Sequence, residues 1–204
     1  RRNQLLRIEQ LRAAGLRAYV LRGEWVVDPE QPYVVVDVET TGGRGDYHRF
    51  TEIGAVRVVD GQVVDRVQTL IQPERRIPAS ITRLTGISDA MVADAPRFVD
   101  IAASFAEFLD GAIFVAHNVE FDYGFISREF RRLGMPFRMP KLCTCATMRR
   151  LFPGHASYSL KSLCADFDIA LDQHHRALCD AEAAAELLRY INERRSALEP
   201  AAPD

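Results

Sequence analysis

Lysine is almost missing from this chain: of 26 basic residues only Lys141 and Lys161 are lysines, and arginine is scattered along the whole length. That bias reads as codon usage more than chemistry. Nor is there a basic excess. Against 28 acidic residues the net charge is −2, so no overall positive field argues for nucleic acid, although a local cleft charge or bound metal could do that work. No run of eighteen apolar residues is present, which excludes a transmembrane helix. The N-terminus is arginine-studded and lacks the apolar block of a secretory signal, so a cytoplasmic location is expected. Beginning at Arg1 rather than Met, the chain reads as trimmed or as part of a longer polypeptide. Cysteine is scarce too. Cys143, Cys145, Cys164 and Cys179 have the wrong spacing for a zinc knuckle, and reduced, buried structural thiols are expected at all four. Gly42-Gly43-Arg44-Gly45 is not followed by Gly-Lys-Ser/Thr and a helix, which argues against a phosphate loop. Internal repeats and low-complexity segments are absent.

What the chain does have is the composition of a globular domain with a sizeable core: 204 residues, 48% hydrophobic and 26% charged. Residues 1–14 predict a short helix stopped by Gly15, and Ala18 to Val27 a hairpin turning at Arg22-Gly23-Glu24. Asp28 to Pro32 reads as a linker, so residues 1–32 form an N-terminal accessory segment. The main domain opens with Tyr33-Val34-Val35-Val36-Asp37-Val38-Glu39-Thr40-Thr41-Gly42, a strand rich in β-branched residues. Strands at Glu52 to Val59 and Gln62 to Gln72 join at Asp60-Gly61 and complete an antiparallel meander. Ala79 to Leu84 is a short helical piece. From Pro96 the period becomes helical, with Phe98, Ile101, Ala102, Phe105, Phe108 and Leu109 on one stripe. Ala112 to Ala116 is a buried strand parallel to the first, because a helix leads into it. A helix over Glu120 to Leu133 buries Phe121, Phe125, Ile126 and Phe130 and turns Arg128, Arg131 and Arg132 outward. A last strand is expected over Lys141 to Cys145, then helices near 145–151, 159–167 and 177–195. The pattern is α/β: a ribonuclease H-like fold, with a mixed five-stranded sheet flanked by helices. Residues 33–195 form this domain and 196–204 a Pro/Ala-rich tail.

Alternate residues of a strand share a face, so Asp37 and Glu39 point the same way at a strand end. A lone Asp-x-Glu is commonly a solvated strand end. With further carboxylates beside it, the pair becomes an all-oxygen site for a hard cation such as Mg²⁺ or Mn²⁺. Asp122 begins a helix just after a strand, where ligand groups gather in open α/β sheets, and Asn118 is a good N-cap there. Phe121 is expected more in the core than stacked on a base. Asp180 opens an alanine-rich helix. His175 lies in the loop ahead of it, able as a neutral imidazole to take a proton from water.

Taken in order, Asp37-x-Glu39, Asn118…Phe121-Asp122 and His175-x4-Asp180 resemble the DEDD exonucleases of the histidine subtype. This is the group that includes the proofreading epsilon subunit of bacterial DNA polymerase III. Supporting stretches are Thr51-Glu52-Ile53-Gly54-Ala55, Leu84-Thr85-Gly86-Ile87, Val115-Ala116-His117-Asn118 and Ser159 to Cys164, so the resemblance runs from Tyr33 to Arg194. It implies two-metal hydrolysis of a terminal phosphodiester from the 3′ end, with Asp37, Glu39, Asp122 and Asp180 holding two divalent ions. In that scheme Asp37 bridges the ions and Asp122 acts partly through water. The family spacing makes His175, rather than His174, the general base. Thr40, Thr41 and Gly42 would lie against the terminal nucleotide, with Thr85, Asn118 and Phe121 also on the substrate side. The chain departs from epsilon at Thr85, where that protein has His, and at Ser80, where it has Glu. No sliding-clamp peptide follows Arg195. The implied substrates are 3′ ends of single-stranded or mismatched DNA, with a DNA polymerase or repair complex as partner. RNA trimming by the same fold is the alternative, and a nonenzymatic nucleic-acid-binding module a third reading.

Overall fold

The structure is a computed structural model that describes residues 18–21, 24–27, 31–43 and 45–198. The helix expected over 1–14 and the end of the tail lie outside the described residues. Strands β1 (Ala18–Leu21) and β2 (Glu24–Val27) pair antiparallel as the expected hairpin.

The main sheet is built from β3 (Tyr33–Thr40), β4 (Phe50–Val59), β5 (Gln62–Leu70), β6 (Ile113–Ala116) and β7 (Lys141–Cys143), in the order β5-β4-β3-β6-β7. β3, β4 and β5 form the antiparallel meander. β6 pairs parallel with β3, and β7 parallel with β6. The helices are α1 (Ala79–Thr85), α2 (Asp89–Val92), α3 (Phe98–Leu109), α4 (Val119–Arg132), α5 (Thr144–Leu151), α6 (Leu160–Asp166) and α7 (Ala177–Leu198).

β3 is valine-rich on both faces because both faces are covered. Val34, Val36 and Val38 pack against Phe98 and Phe105 of α3 and Phe125 and Phe130 of α4. Tyr33 and Val35 pack against Met148 of α5, Leu163 of α6 and Leu187 and Ile191 of α7. A strand sandwiched this way has only its ends open to solvent. The functional side chains gather at the end where β3 runs out.

Several boundaries differ from expectation. β7 stops at Cys143, whose thiol accepts the Ala146 N–H and starts α5 directly. α2 is an element no sequence pattern predicts; this single turn is held by Asp89, which accepts the Ile77 N–H at 2.9 Å over a small cluster of Ile77, Ile87 and Val92. α7 continues to Leu198, into the segment expected as tail. Only Cys164 of the four free cysteines is buried; Cys143, Cys145 and Cys179 are half-buried. Arg128 and Arg132 do face outward from α4, but both are engaged. Arg128 binds Asp46 at 3.1 Å, and Arg132 reaches Gly45 O at 2.9 Å and pairs with the buried Glu129.

Candidate active site

Asp37 and Glu39 stand on the face of β3 that turns towards α7, and the first turn of α7 delivers Asp180 to the same place. Oxygens of Asp37, Glu39 and Asp180 lie within 4.8 Å of one another. Asp122 arrives separately, from the first turns of α4. It is 3% exposed, and its Oδ1 accepts the Val38 N–H at 3.1 Å across the end of β3. All four carboxylates line one cleft of about 360 Å³.

The electrostatics show what this cluster lacks. Burial, then the charges of Asp122, Asp180, Glu39 and Glu52, push the Asp37 carboxyl well above the ordinary range. Asp122 is raised as well, chiefly by burial, although its own N–H and that of Val38 oppose the rise. Glu39 is pushed up to about 8 by burial, Asp180 and Glu52, with Arg176 pulling the other way. Carboxylates this close and this dry cannot all ionise without added positive charge. An all-oxygen set of this kind fits hard divalent cations, and the cluster suits them.

Three histidines border the same cleft. His117 is committed to the protein: Nε2 donates to Tyr158 O and Nδ1 meets Thr144 Oγ1, each at 2.9 Å. Burial also lowers its pKa, so it is a neutral structural imidazole. His174 holds Asp180, with Nδ1 at 3.0 Å from both carboxylate oxygens. His175 has a left-handed backbone at φ 67° and donates its own N–H to Asp180 Oδ2 at 3.1 Å. Its ring stacks on His174 with centroids 3.8 Å apart. Burial and the His174 and Lys161 charges lower its pKa, with Asp180 opposing. A strained backbone at a non-glycine residue in a cleft is characteristic of functional positions.

The residues expected to meet substrate divide. Thr40, Gly42, Thr85, Asn118 and Phe121 line the cleft; Thr41 does not. Thr41 is fully buried, and its hydroxyl contacts His48 Nδ1 and accepts the Arg49 N–H, each at 3.1 Å, which fixes the loop behind Gly42. Gly42 is required there, because a Cβ would fall within 2.7 Å of three atoms of the His48 ring. The Thr85 hydroxyl closes the end of α1, donating to Ile81 O and accepting the Ile87 N–H. Asn118 occupies the N-cap position of α4, but its backbone is left-handed at φ 70° and its side chain makes no capping bond. Phe121 packs on Phe125 with centroids 4.9 Å apart and shows part of its ring to the cleft.

Sequence reasoning passed over His174, Ile81, Leu84 and Leu160, which also line the cleft. His174 was visible as half of a His-His pair. Leu84 and Leu160 lie within stretches that resemble the family, but neither they nor Ile81 signal a place in the cleft, since cleft-lining and core residues look alike in sequence.

A mixed sheet whose first strand and last helix bring acids together beside a histidine defines a metal-site hydrolase architecture. Residues 34–188 match the Exonuclease family. Over 161 residues the chain is 42% identical to the PolC-type DNA polymerase III of Bacillus subtilis (strain 168), covering 78% of this chain and 11% of that polymerase. The chain therefore spans about a tenth of the length of that relative. Among solved structures it is similar to exonuclease X in complex with 5′ overhanging duplex DNA, with 31% identity, a TM-score of 0.65, and coverage of 80% of this chain and 93% of that one. Exonuclease I of E. coli in complex with a dT13 oligonucleotide shares the fold, with a TM-score of 0.75 and 18% identity over 82% of this chain and 42% of that one. The chain belongs to the exonuclease family, in its DEDD type. Among the described residues no helix is long and apolar enough to cross a membrane.

Proposed function

We propose that this protein removes nucleoside 5′-monophosphates from the 3′ ends of single-stranded or mismatched DNA. Asp37, Glu39, Asp122 and Asp180 hold two divalent ions, Mg²⁺ or Mn²⁺, and His175 acts as general base. The observation that carries the reading is the carboxylate trio of Asp37, Glu39 and Asp180, within 4.8 Å of one another in a cleft that His175 also lines. Bound metal would supply activation of the attacking water and charge for the departing 3′ oxygen.

The chain's own groups supply the rest. The Asp180 carboxylate and the backbone of the 174–175 turn hold His175 at the cleft, where a lowered pKa keeps its imidazole neutral and ready to accept a proton. Thr40, Gly42, Thr85, Asn118 and Phe121 form the wall on which a terminal nucleotide rests. DNA is favoured over RNA by the polymerase relative and by the overhanging duplex bound to exonuclease X. A polymerase or repair complex is the fitting partner. Four free cysteines suit a reducing, cytoplasmic compartment. In this reading residues 33–198 are the catalytic unit, residues 1–32 an accessory segment and residues 199–204 an appended tail.

The test uses 5′-labelled DNA and RNA of one sequence, and a DNA duplex with a 3′ mismatch, with Mg²⁺ or Mn²⁺. Asp37→Ala and His175→Ala proteins run alongside. The expected result is a DNA ladder shortening from the 3′ end, lost with EDTA and in both variants. Shortening of RNA alone would move the substrate to RNA, and a ladder that persists in Asp37→Ala would remove the metal assignment.

A further inference from the structure

Glu52 is a carboxylate in an expensive place. It is 0% exposed, sits opposite Glu39 across the β3–β4 ladder, and its charge adds to the repulsion in the acidic cleft. Burying such a group costs several kcal/mol unless it is fully paired. Glu52 is fully paired. Arg176 donates to it twice, through Nε at 3.1 Å and Nη2 at 2.7 Å. The Ala177 N–H donates at 3.0 Å, and Gln68 Nε2 at 2.9 Å.

Two of those partners are the residues that immediately follow His175, and both precede Asp180 in the same short stretch. Gly54, one strand repeat beyond Glu52, adds a second restraint. A Cβ there would stand 2.2 Å from Ala177 C and from Leu178 N, so the start of α7 lies directly on the strand backbone. Glu52 and Gly54 thus form a dock on β4 for the start of α7, and the turn carrying the base hangs from it.

We infer that Glu52 is a positioning residue for hydrolysis: through Arg176 and the Ala177 amide it fixes where His175 and Asp180 stand relative to Asp37 and Glu39. This rests on the exonuclease reading above. Glu52 is fully buried and does not line the cleft; its effect is on the placement of groups that do. A displacement of about 1 Å at such groups costs on the order of a hundredfold in rate. The loss therefore falls on kcat, and the affinity for the DNA strand is kept.

The experiment measures kcat and KM on a single-stranded oligodeoxynucleotide at saturating Mn²⁺. The proteins are the wild type, Glu52→Gln, Arg176→Gln and the double variant, each with a thermal melt. Each single variant is expected to lose at least about tenfold in kcat with KM within about threefold, and Arg176→Lys to recover part of the loss. The double variant should be no slower than the worse single by more than about threefold, because both act through one contact. Kcat within about threefold of wild type in both singles, or losses that multiply in the double, would overturn the inference. If Glu52→Gln fails to fold, the half-exposed Arg176 decides by the same kcat criterion. A wild type that releases no nucleotide would sink the exonuclease reading, and this inference with it. An active wild type with indifferent variants sinks the inference alone.

Discussion

At Glu39 a carboxyl with an ordinary value of 4.5 titrates at about 8 in the fold. The folded protein keeps a proton that the unfolded chain gives up, so the stability it contributes is full below about 4.5 and lost as pH rises towards about 8. Asp37 and Asp122 act in the same direction. In EDTA, urea melts across that window should show stability falling by up to about 1.4 kcal/mol per pH unit for each such group. Mn²⁺ should flatten the slope, since a cation replaces the protons; a slope unchanged by Mn²⁺ would mean that these acids do not bind it. His175 has the opposite requirement. In its proposed role as base it works deprotonated, and its lowered pKa keeps it so to below the usual histidine value of about 6.5. The acid limb of kcat/KM should therefore lie below that value. His175→Ala should abolish the limb and cost about 10²- to 10⁴-fold in kcat.

Among the elements, β4 and α7 meet with no room for a side chain. Gly54→Ala would place a methyl within 2.2 Å of the Ala177 and Leu178 backbone, so α7 must move off the sheet. A loss of about 1–3 kcal/mol in a urea melt is expected, together with a fall in activity larger than the fall in folded fraction. On the opposite side of the sheet, Glu129 of α4 is 2% exposed and joins Arg49 and Arg132. Glu129→Gln takes the countercharge from Arg132 and leaves Arg49 with Glu74 alone, and should cost about 2 kcal/mol, measured in the same way. The elements themselves were largely legible. The β-branched run of β3 and the phenylalanine stripes of α3 and α4 are local signals, and the structure follows them within a few residues. What stayed hidden depends on partners far along the chain. The Glu52–Arg176 and Arg49–Glu129 contacts span sequence separations of 124 and 80, and no local pattern announces them. Asn118 shows the converse: its residue type suggested a cap, but the left-handed backbone keeps the side chain out of that role.

Across the whole molecule, the order of the acids along the chain was readable because family spacing ties each to a strand end or a helix start. Their convergence could be inferred but not measured; which oxygens approach, and that His174 grips Asp180, came from the fold. Because no single element holds the cluster, stripping metal should have an effect spread over the molecule. Dialysis against EDTA should lower the melting temperature of the whole domain in one transition, and Mn²⁺ should restore it. Separate melting of a small unit would contradict this.

β3 opens the main sheet and α7 comes after every other described element, yet the two must touch before Asp37, Glu39 and Asp180 form one cluster. During synthesis the strand leaves the ribosome long before the helix does. Until α7 has emerged and settled on β4, the growing polypeptide lacks Asp180, the fourth of its acids, and has no fixed place for His175. A fragment ending before His174 should bind no Mn²⁺ tightly and degrade no DNA, however well its sheet has formed. Nuclease activity is therefore expected only once α7 has docked, and a chain cut short before it should leave the nucleic acid around it intact.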